Sequence, residues 1–194
     1  MKGVIAVLLA VTGISAVVII IVMQTPGSGL IDYSVRVLAL FGYFAFFTAV
    51  VSSSFMKQLY RYFGKPFIKV HHAIALTAFA LMLMHPAAAV IQYGTPAYLL
   101  PQTSSVSMFL YFAGAPALYF VAAAVVTAFL SRIFRKSWRY IHWLNYIAFF
   151  LVTVHGLMIG TDFQLVPVRI TVFIMAATAA ILFVHRRLRQ FRRA

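Results

Sequence analysis

Five of the six histidines lie in two long apolar stretches of an otherwise charge-poor chain. Val70 to Tyr93, VHHAIALTAFALMLMHPAAAVIQY, carries His71 and His72 near one end and His85 toward the other. A second stretch, Ile141 to Ile159, carries His142 and His155. Ionisable side chains within hydrocarbon are costly and mark function by default. Neutral imidazole ligates haem iron through one ring nitrogen. Two imidazoles from facing helices would complete a six-coordinate iron, which suits electron transfer rather than oxygen binding. The reading from these residues is two helices that face each other and clamp two haems, one above the other. Within each stretch, a separation of 13 or 14 residues at a helical rise of 1.5 Å is about 20 Å, most of a roughly 30 Å hydrocarbon core.

The elements that must position these histidines are membrane helices. The 194 residues are 64% hydrophobic and 9% charged, against about a quarter charged in a soluble domain. Apolar runs reach the roughly 20 residues a spanning helix needs, and the alternating strands of a barrel are absent. Six spans are expected: Val4–Met23, Ser34–Phe55, Val70–Tyr93, Met108–Leu130, Ile141–Ile159 and Val168–His185. The apolar run after Lys2 exceeds a signal-peptide core, so the first span is read as retained. TPGSG then breaks it.

Basic residues set the orientation. The 2–3 loop holds Lys57, Arg61, Lys65 and Lys69; the 4–5 loop holds Arg132, Arg135, Lys136 and Arg139. The tail holds Arg186, Arg187, Arg189, Arg192 and Arg193, while the alternate loops hold none. The positive-inside rule therefore predicts a six-helix bundle with both termini cytoplasmic, as one domain over 1–194. His71, His72 and His142 then lie at the inner level, and His85 and His155 at the outer.

Helical phase separates the two neighbours at the inner level. Fourteen residues at about 100° each return within ~40° of the starting face, whereas thirteen miss by ~140°. His71 thus shares a face with His85, across Ala75, Ala78 and Met82, and His72 is the fallback ligand. His142 and His155 are thirteen apart, awkward for one straight helix. Pro86, directly after His85, can kink the third span. The plainer alternative is that His71, His72 and His142 are interfacial, beside Lys69, Arg139 and Trp143; His185, at the arginine tail, is read as interfacial.

Other functions are constrained by what is missing. The net charge of +14 is accounted for by topology rather than by nucleic acid. With no cysteine, thiol–disulfide exchange and iron–sulfur clusters on this chain's own thiolates are excluded. The only acids, Asp32 and Asp162, fall outside the expected spans, which weakens a pump or transporter. Arg36 and Arg169, just inside the outer ends of spans two and six, are candidate contacts for haem propionates. The alternative for Arg36 is pairing with Asp32 at i, i+4. On the inner side Lys69, Arg135 and Arg139 are candidates that anionic lipid also explains. Phe149 is placed either between haems or in ordinary core packing.

KVHHAIALTAFALMLMHPAAAV resembles the third helix of the ferric reductase-like transmembrane domain family. KSWRYIHWLNYIAFFLVTVHGLM resembles its fifth helix, with Trp138 four before His142 and His155 thirteen after. This membrane core is shared by NADPH oxidases, ferric reductases and the haem subunit of the bacterial methionine sulfoxide reductase system. The resemblance spans nearly the whole chain and implies two b-type haems, His71 opposite His142 and His85 opposite His155, with electrons passing from the cytoplasmic side outward. His72 stands where the family often has Arg or Lys, and Ala75 where it often has Gly. No flavin or nicotinamide domain is expected within this chain. The expectation is therefore a separate donor, a cytoplasmic flavoprotein carrying FAD or FMN or else membrane quinol. The acceptor would be a ferric chelate, oxygen or an extracytoplasmic redox partner. The expected setting is an integral, multi-pass protein of the cell membrane, the haem subunit of an oxidoreductase with no catalytic side chain singled out. The rival readings are a haem-free transporter or a membrane anchor or assembly subunit, and a haem sensor with an open coordination site.

Overall fold

The computed structural model describes the backbone of residues 2–63, 67–135 and 137–191, and side chains from residue 13 to 188 apart from 62–66 and 136. Lys65, Lys136, Arg189, Arg192 and Arg193 of the charge argument, and the start of the first expected span, lie outside the described side chains. Among the described residues the chain is helical throughout, with no strand. Ten α-helices follow one another: α1 (Lys2–Gln24), α2 (Leu30–Ser54), α3 (Met56–Phe63), α4 (Phe67–Tyr93), α5 (Val106–Tyr111), α6 (Gly114–Phe129), α7 (Ser131–Phe134), α8 (Ser137–His142), α9 (Leu144–Ile159) and α10 (Val166–Phe191). Short 3₁₀ turns at Pro96–Leu99 and Asp162–Gln164 complete the path.

Four segments are long and apolar enough to cross a membrane: Leu30–Ser54, Phe67–Tyr93, Ser137–Ile159 and Val166–Leu188. They correspond to the second, third, fifth and sixth expected spans. Their outer faces expose Leu76, Leu83, Met84 and Ile91 on α4, and Ile170, Phe173, Ile174 and Ile181 on α10. Apolar faces of this extent are what a lipid-facing helix presents. The chain is an integral, multi-pass membrane protein.

The first and fourth expected spans need separate description. The described apolar part of the first is Gly13–Gln24. The fourth, Met108–Leu130, is divided: α5 stops at Tyr111 and α6 restarts at Gly114. Pro116 is the reason. It has no N–H for the Phe112 carbonyl, so Phe112 takes the Ala115 N–H at 3.1 Å instead. The helix restarts so that Pro116 falls in its first turn, where a missing N–H costs nothing. Pro86, by contrast, sits inside α4, which continues to Tyr93 despite it. Gly94, at φ +66°, then terminates α4 in the left-handed conformation that a glycine adopts without strain.

Two compact units divide the chain, 1–92 and 93–194. In the first, α1 packs on α2, and α2 meets α4 where Gly42 lies against Leu81 and Met82. Leu40, Tyr43, Phe46 and Val50 of α2 are buried. In the second, α6 packs against α8 and α9, and α10 against α9. Ala117, Ala124, Ala148 and Phe149 are fully enclosed there, small residues letting the helices approach closely.

Candidate functional site

The first unit holds His71, His72 and His85 on α4. His71 is buried, 8% exposed, while His72 beside it is exposed. Ala78 and Ala89 are buried on the same face, with Ala75, Met82 and His85 half-buried along it. That face is the one helical phase selects. His71 Nδ1 lies 3.1 Å from the Ser52 hydroxyl, which is also 3.1 Å from the Ala49 carbonyl. A hydroxyl both donates and accepts, so Ser52 partners either tautomer of His71. His85 Nδ1 lies 3.0 Å from the Val35 carbonyl, which has no proton to give, so Nδ1 donates and carries the ring proton. Metal-binding histidines are commonly fixed in this way, one ring N–H on a carbonyl or hydroxyl and the other nitrogen left to ligate.

The second unit holds His142 and His155. Between them the helix is broken at Trp143, with i to i+3 bonds from Trp143 N to the Tyr140 carbonyl and from Tyr146 N to the Trp143 carbonyl. Tighter turns of about 3.0 residues add rotation per residue. The added rotation moves two residues thirteen apart toward a common face. His155 Nδ1 donates to the Tyr111 carbonyl at 2.7 Å, leaving Nε2 with the lone pair. His142 differs. The Asn145 amide nitrogen donates to the His142 carbonyl at 3.0 Å and lies 3.4 Å from His142 Nδ1. An amide nitrogen only donates, so Asn145 offers Nδ1 a donor where the other three histidines meet oxygen.

Side chains around the break hold it in place. Arg187 stacks on the Trp143 ring at 3.7 Å, and Arg186 reaches the Tyr146 hydroxyl at 3.4 Å. Trp138 meets His142 edge to face at 5.8 Å. The end of α10 is thereby fastened to the segment carrying His142.

The remaining predicted residues are placed as follows. Arg36, 8% exposed, donates to the Val22 carbonyl at 3.0 Å and the Thr25 carbonyl at 2.8 Å, and also meets the Thr25 hydroxyl. It pairs with Asp32 at 3.6 Å. Its guanidinium thus caps the last carbonyls of α1, the favourable end for a cation. Arg169 is exposed and bonded to the Gln164 side chain. Phe149 is fully buried in the second unit. His185 is exposed, and so are Lys69, Arg135 and Arg139. Among the described residues no three His, Asp or Glu side chains cluster as a bare metal site.

Ser52, Asn145, Gly114 and the carbonyls of Val35 and Tyr111 escaped the sequence reading. Backbone acceptors have no sequence signature. The Gly-Ala-Pro run at 114–116 was the available signal, since such residues punctuate helices.

Comparison with curated proteins returned no match, and comparison with solved structures returned none. The family model of the ferric reductase like transmembrane component matches residues 28–153. That match covers α2 through most of α9, including His71, His85 and His142, and ends two residues before His155. The chain belongs to the ferric reductase-like transmembrane family.

Proposed function

We propose that this protein conducts electrons across the membrane through two b-type haems, one ligated by His71 and His142, the other by His85 and His155. The observation that carries the reading is the anchoring of His71, His85 and His155 through Nδ1. His85 and His155 donate Nδ1–H to the Val35 and Tyr111 carbonyls, and His71 Nδ1 meets the Ser52 hydroxyl, the kind of partner that orients a metal-binding histidine. A solvated or interfacial histidine needs no such arrangement. Family membership supplies the second support.

His71, His85, His142 and His155 would hold the haems, which would supply one-electron transfer when bound. The chain's own residues do the rest. Ser52 and the Val35 and Tyr111 carbonyls orient the imidazoles and raise their basicity, as such partners do for ligating histidines. The apolar lining of Ala75, Ala78 and Met82 keeps water away. His142 takes up the ligating tautomer without support from Asn145, whose amide nitrogen faces Nδ1. Arg36 is assigned to locking α1 onto α2 rather than to a propionate, because Val22, Thr25 and Asp32 already engage its guanidinium. Arg169 remains the candidate propionate contact.

The orientation we adopt is six spans with both termini cytoplasmic, in the cell membrane, from the asymmetry of basic residues. The electron donor is a cytoplasmic flavoprotein or membrane quinol, and the acceptor is a ferric chelate, oxygen or an extracytoplasmic redox protein. Purification with haem supplied, followed by pyridine haemochrome titration and a reduced-minus-oxidised spectrum, tests the proposal. Two b haems per chain are expected, with low-spin spectra and no CO binding. A preparation that takes up no haem overturns it.

A further inference from the structure

The break in the fourth expected span and the position of His155 are connected atom by atom. Pro116 forces Ala115 N–H onto the Phe112 carbonyl, and the Tyr111 carbonyl accepts from His155 Nδ1 at 2.7 Å instead of serving a continuous helix. On the other side of the break, a Cβ on Gly114 would lie 3.0 Å from His155 Nε2, 3.2 Å from Cδ2 and 3.3 Å from Cε1. Nearly equal distances to the three atoms put that position over the face of the ring. An atom in the ring plane ahead of Nε2 would be markedly farther from the two carbons. A side chain at 114 would therefore press the imidazole out of its plane without occupying the position of a metal on Nε2.

We propose that the α5–α6 break is a two-sided seat for His155, in which the Tyr111 carbonyl fixes the tautomer and Gly114 fixes the ring plane. Gly114 is a positioning residue. Glycine matters there for contact, not for backbone freedom, since it opens a helix and a Cβ would crowd the ring. The inference rests on the reading of His155 as an iron ligand. The seat itself is a property of the protein without haem.

The experiment compares full-length Gly114→Ala and Gly114→Val with wild type, and uses Gly13→Ala as a control, because a Cβ at Gly13 meets nothing within 4 Å. Haem stoichiometry and the ferric paramagnetic resonance spectrum are the readouts. Gly114→Val is expected to convert one of two low-spin signals to a high-spin signal that binds CO on reduction, with the other signal unmoved. Gly114→Ala is expected to shift the g values of that same signal while both haems stay bound, and Gly13→Ala to change neither. Two unaltered low-spin signals in the Gly114 variants overturn the proposal. If Gly114→Val yields no folded protein, the alanine variant decides on the same criterion.

Nitrogen-15 spectra of the haem-free protein separate this inference from the functional one. Wild-type His155 is expected to show a protonated Nδ1 with slow exchange, and Gly114→Val to lose it. An unmoved His155 signal there overturns the seat, whatever the outcome of haem binding.

Discussion

On α4 two histidines fourteen residues apart share one face of an unbroken helix, and both take their orientation from the neighbouring α2, at Ser52 and at the Val35 carbonyl. In the second unit the histidines are thirteen apart, and the backbone is broken twice to hold them: at Trp143, just after His142, and at Phe112–Ala113, opposite His155. The difference shows what one residue of spacing costs a helix. A match to the helical repeat lets side chains alone do the orienting. A mismatch is eased by local tightening of the helix at Trp143, and that segment is secured by Arg187 on the Trp143 ring. It also separates the acceptors by kind. Three imidazoles meet oxygen through Nδ1, whereas His142 faces an amide nitrogen.

The largest test of this contrast is the choice between neighbours on α4. His71→Ala is expected to halve haem content from two per chain to one, while His72→Ala keeps both, measured by pyridine haemochrome per mole of protein. The opposite result would mean that phase and burial do not select the ligand. Next is Ser52→Ala, which removes the hydroxyl partner of His71 Nδ1. Loss of such a partner typically weakens metal binding about 10–100-fold. Competitive haem transfer to an apo-globin should show this loss, and Ser52→Thr, which restores a hydroxyl, should recover most of it.

Arg187→Ala probes the fastening of the Trp143 break. A cation–π contact contributes about 0.5–2 kcal/mol, more when desolvated. Thermal unfolding in detergent should fall by a corresponding few degrees, with Arg187→Lys intermediate. A broadened signal from the His142 haem alone, with the His155 haem unchanged, would place the effect at the break. The smallest effect is expected at Asn145→Ala. The amide does not hold His142 in the ligating tautomer, so removing it should change haem affinity by less than about threefold, against the 10–100-fold at Ser52. Equal losses at the two positions would erase the distinction between the two units.

Much of this arrangement is legible in the amino-acid order. Hydropathy located the four long spans that the structure contains, because a 20-residue apolar run has few other uses in water or lipid. The 100° step between residues separates His71 from His72 before any coordinates, and their burial and exposure follow it. The i, i+4 spacing of Asp32 and Arg36 predicted a pair that the structure contains at 3.6 Å. The Met108–Leu130 span was less legible, since its hydropathy is continuous across the GAP run that divides the helix.

Periodicity and composition act through local geometry, so the sequence by itself determined the class of protein, its four long apolar helices and the face of α4 on which His71 and His85 lie together. The hydrogen-bond partners of the imidazoles were decided only by tertiary structure. Val35 and Tyr111 contribute carbonyls that every residue has, and Ser52 is one of three consecutive serines. Which of these meets a ring nitrogen depends on how α2 lies against α4 and α5 against α9. Those contacts are set by packing between segments 19 to 50 residues apart in the chain.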